Sequence, residues 1–66
     1  MKLTINGDAR ELDDATTLAE LLEAQAADTR GIAAAVDGEV VPRAEWAAFR
    51  LADGQAIEVL TAVQGG

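Results

Sequence analysis

Apolar and polar residues alternate from the start of the chain, with Leu3 and Ile5 set against Lys2 and Thr4. A period of two marks a strand with one buried face, so residues 1–5 are predicted to be extended. Asn6-Gly7 follows, a strong hairpin signal because both turn positions take positive φ. Residues 8–12 then read as the return strand. A two-residue turn sets Lys2 opposite Glu11 and Met1 opposite Leu12. One pair is charged and outward, the other apolar and inward, as pairing across a hairpin requires.

The period then changes. Residues 13–16 are a polar connection, and Thr17-Leu18-Ala19-Glu20 matches a capping box, with Thr17 as N-cap and Glu20 reaching back. Leu18, Leu21, Leu22 and Ala26 fall on one helical face. Alanine-rich composition carries this helix to about Ala27. Residues 28–31 end it, with Gly31 suited to a cap or turn.

Residues 32–36 are short and apolar, and the flanking Gly31 and Asp37-Gly38 favour a strand over a helix. Glu39-Val40-Val41 returns from that turn, and Pro42 stops regular pairing. Residues 43–48 read as a helical turn carrying Trp46. Residues 49–51 are a short extended piece, 52–55 a turn, and 56–61 the last strand. There Ile57, Val59 and Thr61 share one face, and Ala56, Glu58 and Leu60 the other. One amphipathic helix and one sheet leave so short a chain a two-layer arrangement. The predicted class is α+β, with one main helix packed on one face of a mixed sheet, the architecture of the ubiquitin-like β-grasp. Residues 1–61 form this domain, and 62–66 a flexible C-terminal tail.

Size and composition narrow the possible functions. A domain of 66 residues buries only about 60% of the surface that its unfolded chain exposes. It has no room for both a core and a deep substrate cavity. Without cysteine, no disulfide or thiolate-bound metal staples it. Half of the residues are apolar, enough for a folded domain. Twelve acidic against five basic residues give a net charge of -7. Such a surface disfavours nucleic acid and anionic membranes and favours encounter with a basic protein surface. The chain has no membrane-length apolar run and no signal-peptide pattern, so cytoplasm is the expected location. His, Cys, Ser and Tyr are all absent, which removes the Ser/His and Cys/His nucleophilic systems. The chain is expected to be no enzyme, and to be acted on by one.

The candidate chemistry lies at the end. Gly65-Gly66 is thin and conformationally permissive, able to thread a carboxylate into a narrow site where a side chain would clash. The plainer reading is a frayed terminus, although two such glycines occur by chance in roughly one chain in two hundred. A terminal carboxylate with a pKa of about 3.5 is ionised and a poor electrophile at neutral pH. Another enzyme must activate it, for example as an acyl-adenylate made from ATP, and sulfur attack would then leave a thiocarboxylate. Residues 62–66, if extended, reach roughly 17 Å beyond the last strand.

The remaining candidates have plainer explanations. The acidic residues Asp8, Glu11, Asp13, Asp14, Asp37, Glu39 and Asp53 fit no calcium loop. They read as a solvated face, with a docking surface as the alternative, and Asp37-Gly38 and Asp53-Gly54 read as turns. No metal site or catalytic residue is expected. Trp46 and Phe49, the only large aromatics, read as core fillers rather than contact residues. Arg43 is expected to pair with a local carboxylate such as Glu45. Lys2 is expected to pair with Glu11, and as the only lysine it argues against a modifier that forms chains through its own lysines.

Val36-Asp37-Gly38-Glu39-Val40-Val41-Pro42-Arg43-Ala44-Glu45-Trp46 resembles the V-N-G-x-V-V-P-R-x-x-W stretch of the ThiS family, the sulfur carriers of thiamine biosynthesis. Residues 51–60 resemble its L-x-D-G-D-x-I-E-I-L segment, and residues 61–66 its C-terminal tail. Ile5-Asn6-Gly7 and Thr17-Leu18-Ala19-Glu20-Leu21-Leu22 are similar too. Asp37 stands where Asn is common, and Gln55 where an acidic residue is common; both lie in turns.

The resemblance implies that a ThiF-like adenylating enzyme, using its own ATP and Mg²⁺, activates the Gly66 carboxylate. A sulfur donor protein then yields the thiocarboxylate, and thiazole synthase accepts the tail and the sulfur. Gly66 is the modified residue, while Gly65 and Gln64 enter the partner's active site; this chain binds no cofactor. Two alternatives stay open. A molybdopterin-synthase small subunit shares the fold and the Gly-Gly chemistry, but is usually longer and lacks the Val-Pro-Arg…Trp stretch. A ubiquitin-like modifier would instead be joined to target lysines through Gly66.

Overall fold

A computed structural model describes residues 1–26 and 28–61. Strands β1 (Lys2–Ile5) and β2 (Asp8–Glu11) form the first hairpin in the expected register, with Lys2 opposite Glu11. Asn6 and Gly7 have φ of 51° and 87°, the positive pair that a two-residue turn matched to strand twist demands. The Leu12 N–H donates to the Met1 carbonyl at 2.9 Å, and the Met1 amine donates back to Leu12 O at 2.7 Å. Lys2 and Glu11 share a register position without forming an ion pair. The ion pairs among the described residues join the Met1 amine to Asp14 at 3.1 Å and Arg30 to Asp28 at 3.0 Å.

Helix α1 spans Leu18–Gln25. Its start is the predicted capping box: Glu20 N–H donates to Thr17 Oγ1 at 3.2 Å, and Thr17 N–H to Glu20 Oε1 at 3.0 Å. Leu18 N–H, an orphan donor of the first turn, donates to Phe49 O at 2.9 Å, and Leu51 N–H donates to Thr16 O at 3.2 Å. The extended piece around Arg50 thereby pairs with the helix entrance at Thr17. The helix stops earlier than expected because Ala26 is extended, with φ -138° and ψ 138°; Ala27 lies outside the described residues.

Strands β3 (Ile32–Val36) and β4 (Glu39–Val41) form the second hairpin, turning at Asp37 and Gly38 with φ of 51° and 86°. Pro42 then caps a 3-10 helix, Arg43–Ala48, and β5 covers Ala56–Thr61. The sheet order is β2-β1-β5-β3-β4. The last strand therefore lies in the centre, parallel to β1 and antiparallel to β3.

α1 covers one face of this sheet. Leu18, Leu21 and Leu22 pack with Leu3, Ile5, Ala34, Val36, Val41, Trp46, Leu51 and Ile57, and Phe49 and Val59 lie half-buried against them. Fully burying one such aliphatic side chain is worth about 1.5–3 kcal/mol. No polar or charged residue is buried among those described.

Trp46 fills the core as predicted and also donates its Nε1–H to Val41 O at 2.8 Å. Arg43 departs from expectation. Its guanidinium donates to Thr29 O and sits 4.9 Å from the Trp46 ring centroid, instead of pairing with Glu45. In a 3-10 helix, residues three apart eclipse one another. That places Arg43 over Trp46 and turns Glu45 to another side.

Candidate functional site

The residues to which the sequence assigns chemistry, Gln64, Gly65 and Gly66, lie outside the described residues. The structure does describe the ground from which they depart, the C-terminal end of β5. On one side β5 pairs with β3 as far as Thr61, opposite Ile32. On the other it pairs with β1, where Thr4 N–H donates to Gln55 O at 3.0 Å and Asn6 N–H to Ile57 O at 2.8 Å. β1 then turns away at Asn6. The Asn6 side chain continues the pairing: its Oδ1 accepts from Val59 N–H at 2.9 Å, and its Nδ2 lies 3.4 Å from Val59 O.

The second Asx-Gly turn also touches β5, at the opposite end. Asp37 Oδ1 accepts from Ala56 N–H at 2.9 Å, and Asp37 N–H donates to Ala56 O at 2.8 Å. Asp53 accepts from Lys2 N–H at 2.6 Å. Turn preference alone accounts for Asn6, Asp37 and Asp53 in the sequence, whereas each also bonds a strand distant along the chain. These tertiary roles carry no local signal, since the Asn6 and Val59 positions are 53 residues apart.

The face of the sheet away from α1 is open. Leu60 lies opposite Ala33, and Ala35 lies between Val40 and Glu58. Val40 and Leu60 are 73% and 62% exposed, the large apolar residues left uncovered among those described. Leu60 is the last but one residue of β5. A shallow groove runs beside Lys2, Leu3, Thr4, Ala9, Gly54 and Gln55 and gathers no cluster of reactive groups. Among the described residues no set of three or more His, Cys, Asp or Glu stands close enough to hold a metal ion. No described helix is long and apolar enough to cross a membrane.

Among the described residues one ionisable pair is perturbed. Arg30 holds the Asp28 carboxyl below its ordinary value through a side-chain hydrogen bond and then a backbone one, and Asp28 in turn raises Arg30. Both are surface groups that brace the turn after α1. They are not part of a reactive centre.

A mixed five-stranded sheet gripping one helix, with its last strand central, is the architecture of a ubiquitin-like β-grasp. A family model for the ThiS family matches residues 3–66. The chain is 33% identical to a crystal structure of a thiamine biosynthesis protein (ThiS) from Geobacter metallireducens, with a TM-score of 0.85 over all of both chains. It is also 33% identical over 66 residues to a curated protein named thiazole synthase from Paramagnetospirillum magneticum. That match takes in all of this chain but only 20% of the relative, so the chain spans about one fifth of the relative's length. The chain belongs to the ThiS family, the sulfur carriers of thiamine biosynthesis that its motifs resemble.

Proposed function

We propose that this chain carries sulfur as a thiocarboxylate on Gly66 and delivers it to thiazole formation. The observation that carries the reading is the family match, which runs through Gly65 and Gly66. A Gly66 carboxylate oxygen attacks the α-phosphorus of ATP on a ThiF-like enzyme, and pyrophosphate leaves. Hydrosulfide then displaces AMP from the acyl carbon, leaving a C–S bond in place of a C–O bond. A persulfide donor gives the same product once a thiol has reduced the acyl disulfide. ATP and Mg²⁺ belong to the activating enzyme in this scheme, and the chain is its protein substrate.

Thiazole synthase is the proposed acceptor. A relative bearing that name contains a segment similar to the whole of this chain, which favours the thiazole pathway over a molybdopterin one. In this scheme residues 62–66 form the tail, Gln64 and Gly65 pass through the partner's channel, and the domain stays outside. The absence of side chains at positions 65 and 66 suits that passage.

The test is intact mass after incubation with the adenylating enzyme of the same organism, ATP, Mg²⁺ and sulfide. The expected result is replacement of one oxygen by sulfur, localised to Gly66 by fragmentation. An unchanged mass, with an enzyme that loads another carrier in parallel, would overturn the reading.

A further inference from the structure

The geometry points to Asn6 as a positioning residue for the carrier terminus, a role that rests on the sulfur-carrier reading above. Asn6 occupies the first position of a two-residue turn at φ 51°, where Gly, Asn and Asp are the residues that fit without strain. The turn therefore explains only why one of these three is present. The side chain explains which. In a continued parallel ladder, the next peptide units of β1 would take the Val59 N–H and serve the Val59 carbonyl. β1 has already turned back by that point, and Asp8 begins β2. The Asn6 primary amide, with an acceptor at one end and donors at the other, stands in for the missing strand. Its Oδ1 takes the Val59 N–H at 2.9 Å and its Nδ2 faces Val59 O at 3.4 Å. Glycine would satisfy the turn and neither bond. Aspartate would satisfy the turn and the acceptor bond, but has no hydrogen to give to Val59 O.

The place of this clamp gives it functional weight. Val59 is two residues before Thr61, where β5 ends. Beyond Ile57, the Asn6 side chain is the hydrogen-bonding partner of β5 on its β1 side among the described residues, and the other side is held by β3 through Ile32 and Thr61. With Asn6, the strand is gripped from both sides as far as Val59, two residues from its end. Without it, the end of β5 is tethered along one edge and departs over a wider range of directions. A terminus that must enter a narrow site then spends less of each docked encounter correctly aimed. Misaiming after docking lowers kcat and leaves KM largely alone, because the docking surface is untouched.

Asp37 supplies a matched control. It sits at the same position of the other Asx-Gly hairpin turn and makes the same kind of bond to β5, but at Ala56, the start of the strand. Asn6→Gly and Asp37→Gly each keep a turn-compatible residue and each delete one side-chain clamp.

The experiment measures adenylation of both variants and the wild type by steady-state ATP–pyrophosphate exchange with the same adenylating enzyme, beside their melting temperatures. Asn6→Gly is expected to lower kcat about two- to tenfold, the range that one net hydrogen bond represents, with KM within about twofold. Asp37→Gly is expected to lose comparable thermal stability and keep the wild-type kcat. Asn6→Asp, which retains the turn and the acceptor, is expected to fall between wild type and Asn6→Gly, and it serves if Asn6→Gly does not fold. Equal kcat in wild type and the Asn6 variants, or an equal fall in Asp37→Gly, overturns the positioning role and leaves the carrier reading standing. Failure of the wild type itself to be adenylated overturns the carrier reading and this role with it.

Discussion

At the scale of single residues, sequence neighbours were a poor guide to charge pairing. Arg43 was expected near Glu45 and lies instead over the Trp46 ring, bonded to Thr29 O. Composition gives the charge, whereas the local helix type decides which side it faces. Trp46 was legible as core because a lone tryptophan in a small domain has few other places to go; the partner of its indole N–H, Val41 O, had no signal. The Asp28–Arg30 pair gives a pH-dependent expectation. Arg30 lowers the Asp28 pKa below its ordinary 3.8, so the folded state holds the carboxylate more firmly than the unfolded chain does. Its stabilising contribution is present above the unfolded value and is lost as pH falls through the folded one. Both side chains are exposed, which keeps the effect small. An NMR titration should place Asp28 below its ordinary value, and Arg30→Gln should raise it part of the way, since the residue-30 backbone N–H still donates to Asp28 Oδ1. An Asp28 pKa unchanged by that substitution would show that the pair does not form in solution.

At the scale of elements, local pattern carried far. Both Asx-Gly hairpin turns, the Thr17 capping box, the Pro42 break and the alternation along β5 stand where the sequence puts them. These features are set by dihedral preference and by residues within a few positions of each other, so a linear reading sees them. The early end of α1 at Gln25 was missed because alanine-rich composition favours helix without marking where it stops. The turn argument makes a firm expectation at Gly38, whose φ is 86°. A Cβ placed there would meet no atom within 4 Å, so substitution is penalised by backbone conformation alone. Gly38→Ala is expected to cost about 1–2 kcal/mol. That corresponds to a fall in Tm of about 4–16 °C for a domain of this size. Gly38→Val should cost more, because branching at Cβ narrows the allowed dihedrals further, and Gly38→Asn less. Melting curves for the three variants check the order, and a normal Tm for Gly38→Val would mean that the turn relaxes to another type.

At the scale of the whole molecule, the sequence reading had the layers and lacked the order of the strands. Faces follow from period two, but nothing local says that the last strand slots between the first and the third. The strand that precedes residues 62–66 in the chain is the central one, paired with β3 along its length and with β1 at its start. Among the described residues the core and the side chains packed against it run from Met1 to Val59. Folding and sulfur chemistry should therefore separate cleanly. Deleting Gly65 and Gly66 is expected to leave Tm within about 2 °C of the full chain, since surface changes away from packed features are typically within about 0.5 kcal/mol. The same deletion is expected to abolish sulfur loading, because the carboxylate would then end on Gln64, short of the activating site and carrying a side chain at the point of attack. Differential scanning calorimetry and intact mass on one preparation decide both halves. A large loss of stability would place the glycines in the fold, and retained loading would place the chemistry elsewhere than on Gly66.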